Sequence, residues 1–289
     1  MKTKYAAFLR TAFSRHLSKL DAGDIEPKLD YLPYDFDGKI AERKWHVFGA
    51  MMVVDELREI TNIINHWHGL LLRWHAWNKV IADYNEEDAW ELRREFLEPL
   101  AHHCLLSPSA ARDTLTFVAT NSIHQLRLAL GGGYKDHMDG DSAPGKKPKY
   151  LTRARKEERL KNLVSPWIEG GALLLAIEAI DDNTYREATS DYRNRSSHAI
   201  GPRLALGHTQ AVTRSVVPAT KLKKQPDGTY KDELIPGKMS ICYGVGGTPP
   251  LDMEQARKDN LVQYHRARHG YVIYRNLLFA EINKLPKAV

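Results

Sequence analysis

The chain has 289 residues, with 42 Lys and Arg against 36 Asp and Glu, for a formal net charge of +6. Hydrophobic residues make up 43 % and charged residues 27 %, enough apolar mass to offset chain entropy, so disorder throughout is excluded. With 19 Gly, 14 Pro and only Cys104 and Cys242, a collagen-like repeat and a disulfide framework are excluded too, and reduced, cytoplasmic thiols are expected.

Residues 1–20 hold Lys, Arg and Ser but no acid before Asp21. That composition is transit-like, yet the spacing of Tyr5, Phe8, Leu9, Phe13 and Leu17 predicts an amphipathic first helix. Residues 24–37, with Pro27 and Pro33, read as a loop. Residues 40–82 form one long helix or two, broken at Gly49 or Gly69, since Val53, Leu57, Ile60, Ile64, Trp67 and Leu71 step by three and four. Helical spacing continues over 86–100. Ser107-Pro108 has the pattern of an N-cap and a first-turn proline, which predicts a new helix there, ended by Gly131-Gly132-Gly133.

Residues 131–149 combine glycines with Pro144 and Pro148 and no apolar period, and are expected to form a long mobile loop. A charged helix follows over 153–163, and Ser165-Pro166 starts another that carries Leu173, Leu174, Ile177 and Ile180. Asp181-Asp182 caps a helix from Thr184 to about Ile200, which Gly201-Pro202 stops. Residues 213–243 alternate around Pro226-Asp227-Gly228 and predict a β-hairpin insertion. Residues 244–250 are a connector, and 251–285 a final long helix. The expected architecture is mainly α: a single domain over 1–289, with a helical core that includes 153–202. The best apolar run, 170–180, is about half of the ~20 residues needed to span a bilayer, so no membrane association is expected.

Basic residues cluster twice, as Lys146, Lys147, Lys149, Arg153, Arg155 and Lys156, and as Lys221, Lys223 and Lys224. A pI near 9.1 permits nucleic-acid binding, although a solvated surface is the commoner account of such clusters. Most catalytic signatures are missing, including the phosphate-binding glycine loop, the G-x-S-x-G elbow and H-E-x-x-H. His66 and His68 point about 200° apart on a helix and cannot share an ion locally, and His102-His103 fail likewise. Neither a metal nor another cofactor is expected.

One constellation remains. Arg193-Asn194-Arg195-Ser196-Ser197-His198 falls near the end of the helix predicted from Thr184, with Tyr185, Ala188, Tyr192 and Ala199 marking its buried side. Asn194 and His198 are i and i+4 and share another face, toward which the long Arg193 side chain can bend. A guanidinium, an amide and an imidazole together suit a phosphodiester. Arg holds phosphate oxygens through paired hydrogen bonds, and an imidazole exchanges a proton near neutrality.

This block resembles the R-x(4-6)-H motif of HEPN domains, including the polar residue directly after the Arg. Looser forms, Arg10…His16 and Arg203…His208, lack that polar residue. The resemblance implies a HEPN-like helical bundle with extra N-terminal helices and the β-hairpin inserted. It implies a metal-independent endoribonuclease acting as a toxin or phage-defence effector, most members pairing as homodimers with two motifs in one cleft. In that reading the RNA 2′-OH attacks the adjacent phosphate, leaving a 2′,3′-cyclic phosphate and a 5′-OH. His198 would be general base or acid, Arg193 would stabilise the phosphorane, and Asn194 would orient the phosphate or His198. Arg195 and Arg203 would bind backbone phosphates. Expected partners are RNA, a second copy, and an antitoxin or regulatory protein. Two alternatives stay open: a HEPN-like module that binds RNA or a partner without cleaving, and an unrelated helical scaffold.

Overall fold

Three long helices whose apolar positions recur every three to four residues supply the framework, in a computed structural model that describes residues 2–142, 145–146 and 150–288. In chain order the elements are α1 (Lys2–Asp21), α2 (Asp37–Ala41), α3 (Gly49–Ile81), α4 (Glu86–Leu92), a π-helical turn (Arg93–Leu97) and α5 (Glu98–Leu130). There follow α6 (Arg153–Val164), α7 (Glu169–Glu178), α8 (Asn183–Ala188), α9 (Tyr192–His198), β1 (Val212–Lys224), β2 (Tyr230–Val245) and α10 (Met253–Ile282). The fold is mainly helical with one small antiparallel hairpin. Among the described residues no helix is long and apolar enough to cross a membrane.

The chain divides into two compact units, one of residues 1–189 with 253–289, the other of 190–252. The sequence reading placed 153–202 in one helical core of a single domain. The division instead falls between Thr189 and Ser190, so the Arg193 motif belongs with the hairpin.

In the first unit α3, α5 and α10 pack on one another, α1 lies on α3, α6 on α5, and α7 on α10. Trp67, Trp74, Tyr264, Tyr271 and Tyr274 are all but fully buried at the centre. The predicted break at Gly49 is where α3 begins, and Gly69 lies inside that helix. Helix α1 forms as expected, but its buried positions are Ala12 and His16, while Tyr5, Phe13 and Leu17 stay about half exposed.

Ser107-Pro108 does not start a helix; it lies in the middle of α5. Proline has no N–H, so the carbonyl four residues back loses its helical donor. That carbonyl, of Cys104, is taken instead by Asn260 Nδ2 at 2.7 Å. The same amide group donates to Tyr185 Oη at 2.8 Å, and its Oδ1 accepts from Trp67 Nε1 at 2.8 Å. Fully buried Asn260 therefore ties α3, α5 and α8 to α10.

The end of α7 is closed by side chains. Arg112 Nη1 donates to the carbonyls of Glu178 and Ile180 at 3.0 and 2.9 Å, and Arg266 to that of Ala179 at 2.9 Å. Such carbonyls have no helical partner and need donors from elsewhere. Buried Asp181, at φ +55°, accepts Arg153 and Arg186, each at 2.9 Å, and donates its N–H to Gln263. Arg153 also binds Asp113 and Ser109, so it is a structural cation rather than part of an open basic patch. Of the loop expected over 131–149, Tyr134 and Asp136 are held by the two ring nitrogens of His124 at 2.7 and 2.8 Å. Pro144, Lys147, Pro148 and Lys149 lie outside the described residues.

The second unit contains α9 and the hairpin, whose strands pair antiparallel from Val212↔Val245 to Lys224↔Tyr230, one or two residues longer at each end than expected. Below the ribbon the chain stays paired: Thr209 and Thr248 exchange backbone hydrogen bonds of 2.9 and 2.8 Å, and Leu251 N–H donates to Arg203 O at 2.9 Å. Gly247, at φ +70°, permits this approach, since a Cβ there would stand 2.8 Å from the Thr209 carbonyl oxygen. A register shift between Pro218 and Thr220 places residues 235–238 of β2 opposite Ala219, with Gly237 at φ +69°. Because the inserted residues restore the alternation, even-numbered positions of β1 share one face along its length.

Two outcomes follow for the first unit. Replacing Asn260 with Ala leaves the Trp67 N–H, the Tyr185 hydroxyl and the Cys104 carbonyl without their partner, at about 1–3 kcal/mol for each buried group left unsatisfied. A loss of more than about 2 kcal/mol is expected from urea unfolding, and a loss within about 0.5 kcal/mol would contradict this role. His16, stacked on Trp77 at 4.4 Å, is pushed down from 6.5 to about 4 by burial and secondarily by Arg73. The unfolded chain binds that proton first as pH falls, so the stability is complete above about 6.5 and is lost toward pH 4. The loss is on the order of 2–3 kcal/mol, and His16→Leu should flatten the unfolding midpoint against pH across that window.

Candidate functional site

The helix predicted over 184–200 is two helices. Asp182 Oδ1 caps α8 by accepting the Tyr185 N–H at 3.0 Å, as the Asp-Asp pair suggested. The Thr189 hydroxyl then bonds back to the Tyr185 carbonyl at 2.8 Å, and Ser190 and Asp191 turn left-handed at φ +51° and +52°. Thr, Ser and Asp in sequence compete for backbone groups and favour caps and turns over helix interiors. Tyr185 and Tyr192 are buried as expected, but Ala188 and Ala199 are exposed.

The seven residues of α9 carry the candidate site. Asp191 Oδ2 accepts Asn194 Nδ2 at 3.1 Å, which turns Asn194 Oδ1 toward Arg193, whose Nη1 donates to it at 2.9 Å. The remaining Arg193 nitrogens make no hydrogen bond to the described residues. His198 closes the helix, exposed and one turn beyond Asn194, and its ring has no hydrogen-bond or ionic partner among them either. A pre-oriented guanidinium and an open imidazole thus share a short, solvent-facing helix. Asp191 is the member that the sequence reading missed; its signal was an acid three residues before Asn194, directly ahead of a helix.

Arg195 differs from the expectation of a phosphate contact. Its Nε donates to the Ile200 carbonyl at 3.2 Å, Nη1 to Thr248 Oγ1 at 3.0 Å and Nη2 to Gln210 Oε1 at 3.3 Å. All three nitrogens are engaged, so Arg195 pins α9 to the paired segments beneath the ribbon. Arg203 is exposed and its guanidinium has no partner among the described residues; only its backbone is tied, through Thr209 Oγ1 and Leu251.

The histidines that looked metal-like face apart in the first unit. His68 Nδ1 lies 2.7 Å from Tyr264 Oη, and His75 Nδ1 accepts the Glu26 N–H at 2.9 Å. His66 sits 5.1 Å from the His103 ring in a mostly apolar cleft of about 460 Å³ between α3 and α5. Burial, then the neighbouring His103, lowers the pKa of His66. A further cleft of about 520 Å³ in the first unit is lined by Phe117, Tyr150, Lys156 and Arg159 among others.

Compared with protein-family models, with curated proteins and with solved structures, the chain matches none.

Removing the Arg195 ties should loosen the base of the ribbon while leaving the first unit intact. In Arg195→Ala, hydrogen exchange at the Ala199, Thr209 and Thr248 amides is expected to accelerate about tenfold or more, from three bonds worth about 0.5–1.5 kcal/mol each. Arg203→Ala should leave those amides unchanged. Equal protection in both variants would show that Arg195 does not hold the segment.

Proposed function

We propose that the protein is a HEPN-like, metal-independent endoribonuclease whose catalytic groups are Arg193 and His198, with Asn194 positioning Arg193. The observation that carries the reading is the Asp191–Asn194–Arg193 relay, which holds a guanidinium on the short helix that also carries His198, whose ring has no partner among the described residues. Charged side chains on a surface helix ordinarily sample many rotamers. Here one hydrogen bond to Asn194, itself held by Asp191, restricts Arg193, as positioning of a phosphodiester requires.

In this mechanism Arg193 binds the non-bridging oxygens of the scissile phosphate and stabilises the charge that grows on them. The RNA 2′-oxygen attacks the adjacent phosphorus and loses its proton, while the bond to the 5′-oxygen breaks and that oxygen gains one. His198 carries one of these transfers, as base at the 2′-OH or as acid at the 5′-oxygen. Water, or the corresponding group of a second copy, carries the other. Products are a 2′,3′-cyclic phosphate and a 5′-OH. Asn194 holds the guanidinium and is a positioning residue in this scheme. Arg203 is the cation left free to contact backbone phosphate, the role for which Arg195 is no longer available. A second copy is proposed to complete the cleft, as the resemblance implies.

A second reading is a HEPN-like module that binds RNA or a regulatory protein without cleaving. Asp191, whose carboxylate stands against Asn194, puts a negative charge where a phosphate would sit and favours the protein-binding form of that reading.

The test is cleavage of total RNA in EDTA by the wild type, His198→Ala and Arg193→Ala, read on denaturing gels with end-group analysis. His198→Ala should lower the rate by about 10²–10⁴ and Arg193→Ala by about 10²–10³. Equal rates in all three proteins would sink the assignment. Salt-dependent RNA binding with no cleavage by the wild type would support the module instead.

A further inference from the structure

The β1–β2 ribbon has two chemically different faces. On one, Val212 opposes Val245, Val216 opposes Ile241, and Pro218 opposes Met239. Toward the tip that face continues through Leu222, Leu234 and Tyr230. These side chains are exposed, from 55 % at Ile241 to 87 % at Val245. The opposite face mixes Thr213, Ser215 and Ser240 with Cys242, half-buried Val217 and buried Ala219, and near the tip it carries Lys221 and Lys223 paired to Glu233. Two strands alone are marginal in water and need their apolar face covered.

We propose that the apolar face of the ribbon is a self-association surface, covered by the same face of a second copy in antiparallel, two-fold packing. Of the three charges on that face, Arg214 and Asp232 are self-complementary, and the third, Lys224, lies at the tip end. Arg214 lies near one end and Asp232 near the other, and neither has an ionic partner among the described residues. Eight residues, about 26 Å, separate Arg214 from Leu222, the residue opposite Asp232. A two-fold axis at their midpoint, Pro218, places each copy's Arg214 against its mate's Asp232. The same axis sets Val216 and Ile241 over Thr220 and Leu234, apolar on mostly apolar. A symmetric contact of this kind closes on itself instead of growing into a fibre.

The area is sufficient. The exposed apolar side chains offer roughly 700 Å² per copy, close to the ~800 Å² per partner of a standard interface and above an ordinary surface patch. A nucleic acid is the poorer occupant, because Lys221, Lys223 and Lys231 point from the other face, and Arg214 and Lys224 on this one stand far apart with Asp232 between them. The inference goes beyond the ribonuclease reading and does not depend on it.

The test is light scattering on the full-length protein at tens of micromolar, with circular dichroism to verify folding. The wild type should be dimeric, Ile241→Asp monomeric, and Ser215→Asp, on the opposite face, still dimeric. Arg214→Asp and Asp232→Arg should each weaken the dimer about tenfold, and the double variant should regain most of that loss. Should Ile241→Asp fail to fold, the charge-exchange pair decides by itself. A monomeric wild type would overturn the proposal, showing that another molecule or another part of this chain covers the face. A dimer that survives Ile241→Asp would place the interface elsewhere, and single exchanges that do not rescue each other would rule out the antiparallel pairing. None of these readouts involves RNA.

Discussion

A proline in the middle of α5 leaves one main-chain carbonyl without a donor, and the packing of the first unit is organised around satisfying it. A buried carbonyl with no partner costs on the order of 1–3 kcal/mol, so a donor has to arrive from another element. Asn260 delivers that donor from α10 and uses its remaining amide capacity on Trp67 and Tyr185. The amide has two N–H groups and one oxygen, and each finds a buried partner. The rotation of α10 about its axis and the approach of α8 are thereby fixed by one side chain. Aromatic packing of Tyr264, Tyr271 and Tyr274 then fills the volume that this registration defines.

The same rule, that every buried polar group must be met, governs where the helical unit hands over to the second one. After α7 the chain turns through Asp181, and its carbonyls and carboxylate are met by Arg112, Arg153, Arg186 and Arg266. One turn further on, Thr189 uses its hydroxyl against its own helix and α8 ends. Two left-handed residues follow, so α8 and α9 are separate helices.

Periodic apolar spacing made most helices legible in the sequence, along with the hairpin, whose Pro-Asp-Gly turn separates two alternating runs. The failures share a cause. Pro108 looked like a helix start because its compensating donor lies 152 residues later, beyond any local pattern. Asn260 and Gln263 of α10 are polar yet buried against partners distant in the chain, which no local spacing reveals. At the candidate site, the residue types of Arg193, Asn194 and His198 were readable, whereas the engagement of Arg195 depends on Gln210 and Thr248 across a loop. The resemblance placed the motif late in a helical bundle; it lies instead on a short helix beside a β ribbon.

The backbone pairing of Arg203 with Leu251 and of Thr209 with Thr248 zips together the entering and leaving strands of residues 190–252. An inserted segment whose two ends are joined to each other makes little demand on the scaffold that receives it. Its length and surface can drift, or be replaced wholesale, without changing the register of α8 or α10. The helical unit can therefore evolve slowly as a chassis while the segment carrying α9 and the ribbon diversifies at its own pace.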